Sequence, residues 1–191
     1  DGEITVKGPS VFQGYYKDEE KTKEAFTEDG YFMTGDIGHI DEEGFLHITD
    51  RKKEMFKTSG GKYVAPQVLE NLAKGSKFIE QIMVVGDGEK MPCALVQPDY
   101  AFAKLWAERK HLKIGKTPEE MANSPELKAR IMKDINLLNA TLGKWEQIKK
   151  IELTPTLWTI EDGLLTPTMK LKRKAIKEKF FNLYEKLYDR A

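Results

Sequence analysis

The first fifty residues have the pattern of short strands separated by glycine turns. Apolar Ile4 and Val6 alternate with polar residues, which is typical of a strand with one covered face. An acidic residue followed by glycine predicts turns at 29–30 and 43–44, and a further strand starts at 45–48. The polar stretch before the first of these turns predicts a helical turn near residues 20–26. This part therefore resembles the edge of a strand-rich region.

Beyond residue 53 the pattern becomes mixed. Two apolar runs, 82–85 and 93–96, lie on either side of Asp87-Gly88 and predict an antiparallel hairpin. Residues 148–153 predict another strand. The charged segment Asp50 to Lys53 lacks an apolar face, and it is the natural linker between the strand-rich part and this one.

Four helices are predicted after the linker. Pro66 starts the first, Asp99 caps the second, Ser124-Pro125 starts the third, and residues 171–188 form a single amphipathic helix at the end. The spacing of apolar residues predicts which of them face the core. These are Leu69, Leu72, Ala73, Phe102, Leu105, Trp106, Leu127, Ile131, Ile135, Leu138, Leu142, Ala175, Ile176, Phe180, Leu183 and Leu187. The predicted fold class is α+β.

Composition excludes several classes of protein. The 31 basic and 31 acidic residues cancel, which argues against a nucleic-acid-binding protein. No apolar run approaches the ~18 residues of a membrane span, although a peripheral membrane contact stays open. The three histidines lack the spacing of metal ligands. The single cysteine, Cys93, fits a reducing, cytoplasmic compartment; burial in the core is preferred over a nucleophilic role.

Four blocks of sequence carry a family resemblance. They are Tyr31 to Asp36 (YFMTGD), Phe45 to Lys53 (FLHITDRKK), Lys57 to Pro66 (KTSGGKYVAP) and Thr166 to Arg173 (TPTMKLKR). Their order resembles the C-terminal part of the adenylate-forming enzymes, most closely the long-chain fatty acyl-CoA synthetases. The resemblance implies the end of a large N-terminal domain at 1–50, a hinge at 51–53 and a mobile C-terminal α+β domain at 54–191. Because the phosphate loop of that family is absent, the chain is expected to be an enzyme fragment that is inactive alone.

The first two blocks are expected to contact the nucleotide. A carboxylate at Asp36 can accept hydrogen bonds from both ribose hydroxyls, and the guanidinium of Arg51 suits ribose or phosphate oxygens. These are the roles that the resemblance implies; without it, an aspartate in a turn and a solvated linker charge would also fit. Lys53 matches the position of the family's hinge.

The last two blocks are expected to serve the two half-reactions. The resemblance implies that Lys170 stabilises charge that develops during adenylation. It also implies that Gly60 and Gly61 line the tunnel for the pantetheine arm of CoA. Many family members have glycine before the lysine, where this chain has Met169. The remaining basic runs, Lys149-Lys150 and 172–174, are interpreted as solvated rather than as ligands of the CoA phosphate.

The implied activity is that of an AMP-forming acid-thiol ligase. Its substrates would be a fatty acid, ATP and CoA, with AMP as a product and Mg²⁺ bound mainly through the nucleotide and the missing N-terminal domain. Two alternatives stay open. One is a fatty acyl-AMP ligase that passes the acyl group to a carrier protein, and the other is a non-catalytic binding domain.

Overall fold

The computed structural model describes residues 2–190, with the side chain of Asp50 outside the description. Asp1 and Ala191, the outer ends of the two predicted domains, also lie outside it. The chain divides between Met55 and Phe56 into two compact units. Each unit has its own sheets, and the described residues together form an α+β fold of seven helices and three small sheets, as the sequence predicts.

The first unit is a three-stranded antiparallel sheet with one short helix. In chain order its elements are β1 (Glu3–Val6), α1 (Glu19–Ala25), β2 (Phe32–Ile40) and β3 (Leu46–Arg51), and the strand order is β1-β2-β3. The carboxylate of Asp18 caps α1 by accepting from the amide of Lys21 at 3.0 Å. The predicted strands, turns and helical turn of this part are therefore confirmed.

Strand β3 extends further than its charge pattern suggests. Asp50 and Arg51 pair with Ile37 and Asp36 of β2, so the first half of the predicted linker is strand. Backbone pairing with a neighbouring strand satisfies the same hydrogen bonds whether the side chains are apolar or charged, so a charged segment can continue a strand. A turn follows, in which the amide of Glu54 donates to the carbonyl of Arg51 at 2.9 Å.

The second unit has a small hairpin and a mixed three-stranded sheet. The hairpin consists of β4 (Phe56–Lys57) and β5 (Tyr63–Val64); the sheet has the order β6 (Ile79–Val85), β7 (Cys93–Pro98) and β8 (Ile151–Leu153). β6 and β7 are antiparallel, as the Asp87-Gly88 turn predicts, whereas β8 is parallel to β7. The helices are α2 (Pro66–Ala73), α3 (Tyr100–Lys110), α4 (Pro118–Ala122), α5 (Pro125–Asn139), α6 (Arg173–Lys179) and α7 (Phe181–Leu187).

Helices cover both faces of this sheet. Ile82 and Val84 of β6 belong to a core with residues of α2, α3 and α5, whereas Met83 joins a second core with residues of α6 and α7. A strand that is buried on both faces needs no polar alternation. This explains the continuous apolar runs at 82–85 and 93–96.

Two of the predicted core leucines are exposed. Leu72 of α2 and Leu105 of α3 have exposed fractions of 50% and 54%. In α2 the buried stripe includes the polar residue Glu70, and in α3 it consists of Tyr100 and two alanines. Alanines allow this helix to approach the sheet closely, while Phe102 and Trp106 pack against the edge of the same core and Leu105 faces solvent.

The predicted C-terminal helix is broken at Phe180. Its backbone, with φ −110° and ψ 33°, ends α6 and precedes α7. The break places the ring of Phe180 6.3 Å from that of Trp158, in the core that also contains Ile176 and Leu187. Neither proline nor glycine marks this position in the sequence, so only the packing of the ring accounts for it.

A core substitution in α5 tests this arrangement. Ile131 is fully buried, and Ile131→Ala is expected to lower the free energy of unfolding by about 2–5 kcal/mol because it removes buried methyl groups and leaves a cavity. Urea denaturation measures the change. Leu137→Ala on the same helix is the matched control, since Leu137 is 67% exposed and should cost less than about 1 kcal/mol. Equal losses would contradict the orientation of α5.

Candidate active site

An irregularity in the pairing of β1 with β2 contains the Thr34-Gly35-Asp36 block. Gly35 has φ +74°, and its amide donates to Oε1 of Glu3 at 3.0 Å. The hydroxyl of Thr34 donates to the carbonyl of Ile4 at 2.7 Å and accepts from the amide of Asp36 at 3.1 Å. A residue with a side chain would be strained at this φ, so glycine suits the irregular strand segment that precedes Asp36.

The register of β2 and β3 brings Asp36 and Arg51 together. They lie directly opposite each other on β2 and β3, and Nε of Arg51 donates to Oδ1 of Asp36 at 2.8 Å. The two side chains are 28% and 52% exposed, so the pair faces solvent in part. The two residues that the sequence predicts to contact the nucleotide thus form an ion pair.

A cavity of about 510 Å³ lies beside this block in the first unit. Its volume is within the range of small-molecule sites. Both basic and acidic side chains surround it, and Lys53, in the turn after β3, belongs to its wall. The lining residues are Glu3, Tyr15, Lys21, Glu24, Ala25, Phe32, Met33, Thr34, Gly35, Arg51, Lys52, Lys53 and Glu54.

Glu3 is a site residue that sequence reasoning missed. Besides the amide of Gly35, its carboxylate accepts from Nζ of Lys52 at 2.6 Å. The hydrogen bond from Lys52 lowers the pKa of Glu3, and the amide of Gly35 acts in the same direction. Its partners are 32 and 49 positions away, so nothing local to Glu3 in the sequence signals this role.

A three-residue turn presents Lys170. Leu165 and Leu171 pair across it, the amide of Thr166 donates to the carbonyl of Lys170 at 2.8 Å, and the amide of Lys170 donates to Oγ1 of Thr166 at 3.0 Å. Pro167, Thr168 and Met169 form the tip, and proline fixes the φ that the second position of a turn requires. Lys170 itself is exposed. The residues 166–170 are called the Lys170 loop below.

Met169 adopts the backbone conformation that glycine prefers. Its φ is +60°, and its amide donates to the carbonyl of Thr166 at 2.8 Å. A residue in this region closes the hairpin with the correct twist. The turn geometry therefore explains why glycine is suitable at the position before Lys170. Met169 adopts this positive φ at a cost in conformational free energy that glycine would avoid.

This conformation gives a test. Met169→Val should lower the free energy of unfolding by roughly 1–2 kcal/mol, because a β-branched residue is a steric outlier at positive φ. Met169→Gly is the control and should not destabilise the protein, since glycine adopts this φ without strain. Urea denaturation of both variants measures the difference. A valine variant as stable as the parent would mean that the turn has another conformation.

Arg173 is not solvated, which corrects the interpretation of the basic run 172–174. Its guanidinium donates to both carboxylate oxygens of Glu70, with Nη1–Oε1 2.9 Å and Nη2–Oε2 2.8 Å. The side chain of Glu70 is 7% exposed, and its carboxylate also accepts from the amide of Val84 at 2.7 Å. In the other basic run, Lys150 pairs with Asp189, whereas Lys149 is exposed.

Gly60 and Gly61 lie in the loop between β4 and β5. The amide of Gly61 donates to the carbonyl of Thr58 at 2.8 Å, and the amide of Ser59 donates to the carbonyl of Glu89 at 2.8 Å. Gly61 has φ +78°, and a Cβ there would meet no atom closer than 3.8 Å. Glycine is therefore required at position 61 for the backbone conformation, while the space around it is open.

Cys93 packs in the second core. It is fully buried on β7, and burial raises the pKa of its thiol. A raised pKa disfavours the thiolate, so the structure supports the packing role over a nucleophilic one. Among residues 2–190, apart from the side chain of Asp50, no group of three or more His, Cys, Asp or Glu is placed to hold a metal ion, and no helix is long and apolar enough to cross a membrane.

Known proteins match this chain along its whole length. It is 43% identical over 190 residues to a long-chain-fatty-acid–CoA ligase of Mycobacterium tuberculosis, covering 100% of the chain and 32% of that protein. It is 44% identical to long-chain-fatty-acid–CoA ligase 6 of Rattus norvegicus, covering 98% of the chain and 27% of the relative. The chain thus spans between about a quarter and a third of the length of these relatives.

A solved structure and a family comparison agree with these relatives. The adenylation domain of the carboxylic acid reductase of Segniliparus rugosus, in complex with AMP and a co-purified carboxylic acid, superimposes with a TM-score of 0.77 at 26% identity, covering 98% of this chain and 28% of that one. The AMP-binding enzyme C-terminal domain family matches residues 54–191. The resemblance predicted from the four sequence blocks is therefore confirmed, and the chain belongs to the AMP-binding enzyme C-terminal domain family of the adenylate-forming enzymes.

Proposed function

We propose that this chain is the C-terminal part of an AMP-forming long-chain fatty acid CoA ligase. The complete enzyme would convert a fatty acid and ATP to acyl-AMP and pyrophosphate, and then acyl-AMP and CoA to acyl-CoA and AMP. The observation that carries the proposal is the Lys170 loop, a tight turn that presents an exposed lysine in a chain whose relatives bear this activity in their names. The lone buried Cys93 fits a cytoplasmic protein.

In this proposal the first unit contributes part of the nucleotide site. Asp36 accepts hydrogen bonds from the ribose hydroxyls, and Arg51, which holds the Asp36 carboxylate at 2.8 Å, orients it and contacts ribose or phosphate oxygens. The AMP in the superimposed adenylation domain supports nucleotide binding. Mg²⁺ would be held mainly by the nucleotide and by residues outside this chain.

The second unit would serve both half-reactions. Attack of the fatty acid carboxylate on the α-phosphorus builds negative charge on the phosphoryl oxygens and on the departing pyrophosphate, and the ammonium of Lys170 would stabilise that charge. The open space around Gly60 and Gly61 suits the passage of the thin pantetheine arm. Residues 51–53 would form the hinge, with Lys53 in the turn after β3, between an N-terminal part at 1–50 and a mobile domain at 54–191.

Pyrophosphate exchange with the full-length protein tests this function. We expect ATP–pyrophosphate exchange that depends on a long-chain fatty acid, followed by thioester formation with CoA. The 191-residue chain alone should show neither, because it corresponds to about a third of its relatives. Transfer to a carrier protein in place of CoA would identify an acyl-AMP ligase. Absence of exchange in the full-length protein would contradict the proposal and favour a binding domain.

A further inference from the structure

We propose that the ion pair between Arg173 and Glu70 is a positioning device for Lys170. Arg173 is the first residue of α6 and follows Lys170 by three positions, so it lies at the base of the Lys170 loop. The proposal rests on the proposed function, because it assigns a purpose to the pair within the adenylation step. It concerns residues that act through Lys170 and do not themselves touch the substrate.

The pair joins three elements at one point. Both terminal nitrogens of the Arg173 guanidinium, Nη1 and Nη2, donate to the carboxylate of Glu70 in α2, and Nη1 also donates to the carbonyl of Val84 in β6 at 3.3 Å. Oε1 of Glu70 accepts from the amide of the same Val84 at 2.7 Å. The start of α6 is therefore tied to a helix and a strand that precede it by about ninety to a hundred positions.

The Lys170 loop depends on its base for its position. Residues 167–170 are exposed, and the hydrogen bonds described for the amides of Met169 and Lys170 are made within the loop. Before the loop, Leu164 and Leu165 are buried in the second core. After it, Leu171 packs against the same core, and the amide of Lys172 donates to the carbonyl of Leu164 at 2.9 Å. The forked contact of Arg173 adds the tie between this segment and α2.

The chemistry of the pair favours positioning over stabilisation. Removing two charges from water costs free energy, and the attraction between them often does no more than offset that cost. Apolar residues of similar volume therefore frequently stabilise a protein as well as an ion pair does. Two apolar cores already hold the helices on the sheet. What a bidentate guanidinium–carboxylate pair adds is direction, because two parallel hydrogen bonds fix both distance and orientation.

Amide exchange in the 191-residue chain tests the positioning directly. Arg173→Lys keeps the charge but loses the fork, and Glu70→Gln keeps the shape but loses the charge. We expect either variant to speed exchange of the Met169 and Lys170 amides by about tenfold or more relative to amides of β7, measured by NMR. Lys128→Gln is the matched control, since it removes a 2.7 Å ion pair to the 9% exposed Glu152 in the same unit and should leave the two loop amides unchanged.

Kinetics of the full-length protein give the second measurement. We expect Arg173→Lys to lower kcat of acyl-AMP formation about tenfold and to change KM for ATP by less than about twofold, because a small displacement of a catalytic group mainly affects the chemical step. Conversion of supplied acyl-AMP to acyl-CoA should be spared. Any of three results would overturn the proposal. They are unchanged exchange rates of the Met169 and Lys170 amides in both variants, equal loss in both half-reactions, and failure of both variants to fold. A parent protein without adenylation activity would contradict the proposed function instead, and the loop amides would still decide whether the pair positions Lys170.

Discussion

Lys170→Ala in the full-length protein is expected to slow acyl-AMP formation by about 10²–10³-fold, because it removes one pre-organised donor to a developing negative charge. Conversion of supplied acyl-AMP to acyl-CoA should stay near the parent rate, because in that step the CoA thiol attacks the acyl carbon and AMP leaves, so no bond to phosphorus is made or broken and no pyrophosphate departs. Lys170 is exposed, and the hydrogen bonds that it makes in the turn use its backbone amide and carbonyl, which alanine keeps. A folding defect would therefore not explain such a loss. Single-turnover measurements of each half-reaction separate the two rates.

Lys174→Ala is the matched control for this substitution. It changes the net charge equally and lies four residues further on, with a side chain that is 91% exposed. We expect both half-reactions to be unaffected, because an exposed lysine of α6 contributes little beyond a weak ion pair with Glu178. Comparable losses in both half-reactions of Lys170→Ala would show that the lysine has a structural role.

Gly61→Leu should have the opposite selectivity. We expect nearly intact acyl-AMP formation and a severe loss of thioester formation, because the added side chain would obstruct the path of the pantetheine arm. The loop is open at this point, with no atom closer than 3.8 Å to a Cβ at position 61. The leucine side chain would therefore extend into space that the proposal gives to CoA. Thioester formation from supplied acyl-AMP is the measurement.

Gly61→Ala separates the steric effect from backbone strain. At φ +78° any side chain costs roughly 1–2 kcal/mol, so both variants should lose similar stability in urea denaturation. Alanine adds little bulk and should retain most of the thioester activity. If the leucine variant forms acyl-CoA at the parent rate, or if alanine and leucine are equally impaired, the assignment of this loop to the tunnel is wrong.

The sequence determined the fold class and most of the elements by itself, because these depend on local signals. Asp99 and Ser124 cap helices as predicted, accepting from the amides of Phe102 and Leu127 at 2.9 and 3.3 Å. The two apolar runs around Asp87-Gly88 form an antiparallel pair. Side-chain capping and turn formation act within a few residues, so the sequence contains the necessary information close to each position.

Only the tertiary structure decided which charged residues have partners. Glu70 appears in the sequence as one more polar position of a short helix, and Arg173 as part of a basic run, yet they form a partly buried ion pair across 103 positions. The break at Phe180 and the role of Glu3 beside Gly35 have the same origin. Such contacts depend on which surfaces meet after the chain has folded, and a charged side chain looks identical in sequence whether water or another residue satisfies it.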